Sequence, residues 1–286
     1  MALVSLREIV QDAYQRQYAV GAFNVVNLDF LEAIVNAAEE KQSPVILNIA
    51  EVHFPFVTVE HIVPAIKAVC EKSKIPFALN LDHGLTFEAI MRAVRNGFTS
   101  VMFDGSHLSF EENIRQTQKV VEICHAVGVS VEGELGAIGG EEGGGLIGEA
   151  NPDLFTNPDL AAQYVEQTGI DALAVGIGNV HGKYKGAPNL DFARLGQIRE
   201  LVKIPLVLHG GSGISTPDFQ RAIGMGISKI NFFTGMSQVA LETTASSLQK
   251  TGTKYNDYPL MLNEIKGGIT KVVGEQMDIF MSTNKA

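Results

Sequence analysis

Short β-branched runs recur along the chain, each followed by a longer stretch of helical periodicity. This alternation restricts the fold more than any other feature. The runs cover residues 19–26 (AVGAFNVV), 44–50 (PVILNIA), 76–82 (PFALNLD), 100–106 (SVMFDGS), 130–136 (SVEGELG), 172–178 (ALAVGIG), 205–210 (PLVLHG) and 229–235 (KINFFTG). Between them, segments such as FLEAIVNAAEEK and FEENIRQTQKVVEICHAV repeat apolar residues three and four apart, the spacing of one helix face. Strands separated by helices predict right-handed parallel crossovers. Near-continuous apolar strands predict burial on both sheet faces. A doubly wound open sheet gives the same alternation with fewer units, so eight even units predict a closed (β/α)8 TIM barrel. An extra helix over about 4–16 precedes the first strand, and a helical extension follows the last one. No linker or low-complexity segment divides residues 1–286, which read as a single α/β barrel domain.

Composition narrows the partners. The net charge of −10 argues against nucleic acid. It leaves phosphorylated ligands open, because backbone N–H groups bind those. No apolar run approaches the roughly 18 residues of a membrane span, and MALVSLREIV has neither the basic nor the apolar region of a signal peptide. The only cysteines, Cys70 and Cys124, lack metal spacing and form no disulfide framework. The expected setting is therefore reducing and cytoplasmic.

A barrel presents its chemistry at the strand C-termini. There the chain places Asp82, His83, Asp104, His181, His209 and Asn231, with Glu132 and Glu134 on the fifth strand. Taken singly, each histidine reads equally well as a polar residue capping a strand. Together, three imidazoles on one face read as a zinc site with an open fourth position, the catalytic arrangement. His53, His61, His107 and His125 read as ordinary helix or loop histidines.

Two glycine-rich turns, HGGSG (209–213) and NFFTG (231–235), follow the seventh and eighth strands, where such barrels cradle phosphate. Glu132 and Glu134 share a face because residues two apart do, and there they meet a cation or its surroundings rather than hydrocarbon. Glu141 and Glu142 lie in the long loop at roughly 137–157, which reads either as a solvated acidic loop or as a hinge that swings a carboxylate over substrate.

The sequence resembles the class II, zinc-dependent ketose-bisphosphate aldolases of the fructose-/tagatose-bisphosphate branch. The resemblance spans nearly the whole chain through YAVGAFNVVN (18–27), LDHG (81–84), SVMFDGSHLSFEENI (100–114), SVEGELGAIGGEEG (130–143), GIDALAVGIGNVHGKYKG (169–186), IPLVLHGGSGI (204–214) and GISKINFFT (226–234). It implies His83, His181 and His209 as zinc ligands, with Asp104 and Glu134 offering an alternative metal position. It implies Asp82 as the acid/base at the hydroxyl of the breaking bond and Glu142 as the mobile carboxylate that exchanges the donor-carbon proton. Asn24 is implied in substrate binding. Gly182, Gly210, Gly211, Ser212, Asn231, Phe232, Phe233 and Thr234 match the cradle for the carbon-1 phosphate, near which some relatives hold a sodium or potassium ion. Relatives are dimers or tetramers, so a homo-oligomer is expected.

The implied activity is reversible cleavage of a ketose 1,6-bisphosphate to dihydroxyacetone phosphate and an aldehyde such as glyceraldehyde 3-phosphate. Three departures bear on this. Ala50 stands where relatives carry a Ser or Thr that touches the distal phosphate, Tyr258 stands about where an arginine reaches a neighbouring subunit's site, and Phe233 replaces Asn, Asp or Ala. An aldolase with an unphosphorylated acceptor aldehyde is therefore the alternative within the class. A non-catalytic barrel subunit and a zinc hydrolase are the alternatives outside it.

Overall fold

The computed structural model describes residues 3–140, 147–250 and 258–286. Eight parallel strands close into a barrel: β1 (Val20–Asn24), β2 (Val45–Ala50), β3 (Phe77–Gly84), β4 (Ser100–Phe103), β5 (Ser130–Leu135), β7 (Ala172–Val175), β9 (Leu206–Leu208) and β10 (Ile227–Phe232). Each barrel strand leads into a helix: α2 (Leu28–Lys41), α3 (Val59–Cys70), α4 (Phe87–Asn96), α5 (Phe110–Ala126), α6 (Pro158–Thr168), α7 (Phe192–Leu201), α8 (Thr216–Gly224) and α9 (Thr234–Lys250). The N-terminal helix α1 (Leu6–Arg16) and the C-terminal helix α10 (Tyr258–Ile279) are additional. The alternation read from the sequence is thus the observed architecture, with most strands shorter than their apolar runs. Among the described residues no helix is long and apolar enough to cross a membrane.

Two short strands were not expected. Within the long loop, β6 (Ile147–Gly148) pairs with β8 (Lys183–Tyr184), and Gly139 bridges Val180 nearby. Pairs this short carry no readable periodicity. They nonetheless stitch the loop after β5 to the loop after β7.

The core has two shells. The outer one lies between strands and helices; the inner one fills the barrel and is closed from below by α1. Leu6, Ile9, Val10 and Ala13 recur at helical spacing and pack on Val20, Ala22, Ile46, Ala78, Met102 and Val207. A capping box starts this helix: Ser5 Oγ accepts from the Glu8 N–H, and the Ser5 N–H donates to Glu8 Oε2.

Moving up the same inward faces, apolar side chains give way to amides and then charges. Ala22, Ile46 and Ala78 are followed two residues later by Asn24, Asn48 and Asn80, which lie in register with one another. Asn80 Nδ2 donates to Asn48 Oδ1 at 3.0 Å. Asp82 comes next on β3, paired in register with Ala50. The barrel is therefore apolar at its base and polar at its mouth.

Candidate active site

His83 and Asp82 are consecutive, and strand alternation alone would send them to opposite faces. The chain avoids this by placing His83 in the left-handed region (φ 44°), where the β3–β4 register also shifts. Such a conformation at a non-glycine residue costs about 1–3 kcal/mol, and it brings both side chains into the mouth.

Asp82 is fully buried. Asn231 Nδ2 donates to its Oδ1 at 2.9 Å, and Asn24 Nδ2 lies 3.5 Å from its Oδ2. The Oδ1 atoms of Asn24 and Asn231 have no partner among the described residues, which leaves two buried acceptors beside the carboxylate.

The three histidines converge, with ring centroids 4.6, 4.8 and 5.8 Å apart. Their neighbours set the tautomers. His83 Nδ1 lies 2.8 Å from Asp104 Oδ2, and His209 Nε2 lies 2.8 Å from Glu132 Oε1. Each carboxylate takes an N–H, so in the neutral ring the opposite nitrogen is the one that carries a lone pair. Those two nitrogens, His83 Nε2 and His209 Nδ1, face each other at 2.8 Å. Burial first, then the neighbouring His83, pushes both His181 and His209 well below the usual imidazole range, so they are neutral. Neutral imidazoles with converging lone pairs are the donor set of a divalent metal. The ligand atoms of all three lie within 4.8 Å of one another.

His83, Asp104 and Glu134 form a second group of the same tightness. Burial raises the Asp104 carboxyl, but the bond and charge of His83 and two bonds from Ser106 outweigh it and hold it below the usual range. Glu134 goes the other way. Burial, then the Asp104 charge, pushes it well above the ordinary value, and its Oε2 has no hydrogen-bond partner among the described residues. A buried carboxylate in that state requires a proton or a cation.

Loop contacts hold the histidines in place. The His181 N–H donates to Gly139 O at 2.7 Å, so the stitched loop fixes its backbone. Asn179 Nδ2 donates to His209 O at 3.1 Å, and the Tyr184 hydroxyl donates to Gly210 O at 3.0 Å. Gly210 has φ 65°, and a Cβ there would sit 2.0 Å from Val180 O, so no other residue fits.

Next to the histidines, Asn24, His181, Gly182, Gly210, Gly211, Ser212, Asn231, Phe233 and Thr234 line one small cleft. The N-terminus of α9 opens at Thr234, and helix N-termini favour anions. Phe232 does not line this cleft: it is buried, packing edge-on against Phe23. Glu142, with Glu141, lies outside the described residues.

Sequence reading missed Lys229, Asn48, Asn80, Asn179 and Tyr184. Lys229 and Glu132 are both fully buried and form an ion pair at 2.6 Å across the barrel, beneath His209. A lysine inside the apolar run KINFF was the available signal. Removing one partner of a buried pair typically costs about 3–5 kcal/mol. Lys229→Met is expected to destabilise the fold by that amount in urea denaturation. A loss below about 1 kcal/mol would mean Glu132 is adequately held by His209 alone.

These features define a class: a (β/α)8-barrel enzyme whose strand C-termini carry a histidine trio suited to a metal ion. Residues 4–285 match the family described as fructose-bisphosphate aldolase class-II. The chain is 44% identical to a fructose-bisphosphate aldolase of Geobacillus stearothermophilus, covering 100% of this chain and 99% of that one. It is 42% identical to a probable fructose-bisphosphate aldolase of Bacillus subtilis (strain 168), covering 100% of both. Among solved structures it is similar to the YdjI aldolase from Escherichia coli K12, with a TM-score of 0.88, 34% identity and 99% of each chain covered. The chain belongs to the class II fructose-bisphosphate aldolase family, and it is an aldolase, a carbon–carbon lyase.

Proposed function

We propose that this single-domain barrel is a zinc-dependent, homo-oligomeric, cytoplasmic aldolase that reversibly cleaves a ketose 1-phosphate of the fructose or tagatose type to dihydroxyacetone phosphate and an aldehyde. The observation that carries the reading is the fully buried Asp82, beside Asn231 and next to the converging His83, His181 and His209. His83, His181 and His209 would hold the zinc ion, which would supply an electron sink for the ketone.

The chain's own residues do the rest. Asp82 accepts the proton of the carbon-4 hydroxyl as the bond between carbons 3 and 4 breaks. The electron pair of that bond passes to carbon 3 and the adjacent carbonyl, and the aldehyde departs. Glu142, assigned through the family resemblance, returns a proton to carbon 3. Gly182, Gly210, Gly211, Ser212 and Thr234 hold the carbon-1 phosphate through backbone and hydroxyl donors. The buried Asn24 and Asn231 acceptors receive substrate hydroxyls. A coupled assay for dihydroxyacetone phosphate tests the whole: turnover should vanish with a chelator and return with zinc. Chelator-insensitive cleavage would end this reading.

The acceptor aldehyde is the open half. Ala50 pairs with Asp82 at the mouth and offers no hydrogen bond, while Tyr258 is exposed at the start of α10. A charge-assisted hydrogen bond contributes about 1.5–3 kcal/mol, so two missing contacts weaken distal-phosphate binding by more than about tenfold. The expected result is a small ratio of kcat/KM for a ketose 1,6-bisphosphate over its 1-phosphate analogue. A preference above about a hundredfold for the bisphosphate contradicts it, because a lost contact set cannot sustain that discrimination.

A further inference from the structure

The turn after β2, which begins at Ala50, places a histidine at the mouth of the barrel. His53 lies in the short 3-10 turn Glu51–His53, is buried, and packs edge-on against Phe233 with ring centroids 4.9 Å apart. Phe233 lines the cleft that also contains Asn24, His181 and Asn231. In the barrel β1 lies between β2 and β10, so the His53–Phe233 pair spans the end of β1, where Asn24 sits.

The turn is held firmly. Glu51 Oε2 accepts from the Leu85 and Thr86 N–H groups at 2.6 and 3.2 Å, and its Oε1 accepts from the Thr86 hydroxyl at 2.8 Å. His53 O accepts from the N–H groups of Phe56 and Val57, both at 2.9 Å. Yet His53 Nδ1 has no hydrogen-bond partner among the described residues. A buried polar atom on an anchored, ring-clamped side chain is costly unless a ligand meets it.

We infer that His53 is a specificity-determining residue that hydrogen-bonds a hydroxyl on an uncharged acceptor aldehyde, taking the place of the contact that Ala50 cannot make. The inference rests on the aldolase reading with an unphosphorylated acceptor. Two observations favour a hydroxyl over an anion. Burial pushes the imidazole below its usual value, only partly offset by Asp82, so it is a neutral hydrogen-bonding group. Two cations on the neighbouring helices are already engaged: Arg92 makes two bonds to Glu60, and Lys67 Nζ donates to Asn96 O.

The test measures condensation of dihydroxyacetone phosphate by the zinc-loaded enzyme with glyceraldehyde and with propanal, which has the same carbon chain and no hydroxyl groups. His53→Ala should lower kcat/KM for glyceraldehyde by about five- to tenfold, the effect of one neutral hydrogen bond, mostly through KM for the aldehyde. It should change kcat/KM for propanal by less than about twofold. His53→Asn, which keeps a donor and an acceptor, should recover part of the loss and serves as the second variant if the alanine form does not fold. Proton exchange on dihydroxyacetone phosphate reports the donor half and should stay unchanged. Equal losses on both aldehydes, or no loss on glyceraldehyde, would overturn the role of His53. The wild-type ratio for glyceraldehyde 3-phosphate over glyceraldehyde judges the unphosphorylated-acceptor reading separately, whatever the variants show.

Discussion

Asp82→Ala is expected to lower the cleavage rate by about 10²–10⁴-fold, the usual contribution of one positioned acid/base. Among the described residues no nearby carboxylate is free to replace it. Glu132 is engaged by His209 and Lys229, and Asp104 by His83 and Ser106. Glu134, fully buried, has its carboxyl pushed well above the ordinary value, so it favours the protonated form and is not available to accept another proton. The loss should appear in kcat, while zinc content and the dihydroxyacetone phosphate proton exchange assigned to Glu142 persist. Asp82→Asn should behave alike, since it keeps the shape but not the proton acceptor. A variant within tenfold of wild type would move the acid/base role elsewhere.

His209→Ala is expected to reduce zinc from about one ion per chain to a trace, and turnover with it. His209 is the junction of the site: its Nε2 bonds Glu132, its Nδ1 faces His83, and Asn231 Nδ2 lies 3.2 Å away. Removing it strips one ligand and leaves Glu132 with Lys229 as its remaining charged partner. The barrel should still form, because the strands on both sides, β10 and β7, are paired to β9 through residues 206–208, below His209. Zinc measured by atomic absorption, together with far-ultraviolet circular dichroism, separates loss of metal from loss of fold. Full zinc content in a folded His209→Ala protein would show that the ion sits elsewhere, the His83–Asp104–Glu134 group being the other candidate.

Much of this was legible in the sequence, and the reason is local. Burial on both strand faces and helical periodicity are written in neighbouring residues, so the (β/α)8 order could be read directly. The barrel topology then sent every strand C-terminus to one mouth, which is why His83, His181 and His209 could be grouped despite their distance along the chain. The inward position of Glu132 and Glu134 followed from a period of two.

Partner identity was not legible. Lys229 meets Glu132 only because the closed barrel brings β10 and β5 across a shared interior. His53 meets Phe233 because β2 and β10 flank β1. The left-handed backbone at His83 overrides alternation, a departure that periodicity cannot foresee. The sequence by itself determined which residues are buried, which elements they form and which end of the barrel holds the polar groups. The tertiary structure alone decided which buried group answers which, because that depends on closure and register between strands far apart in the chain, and a local pattern encodes a residue's environment but not the residue across from it.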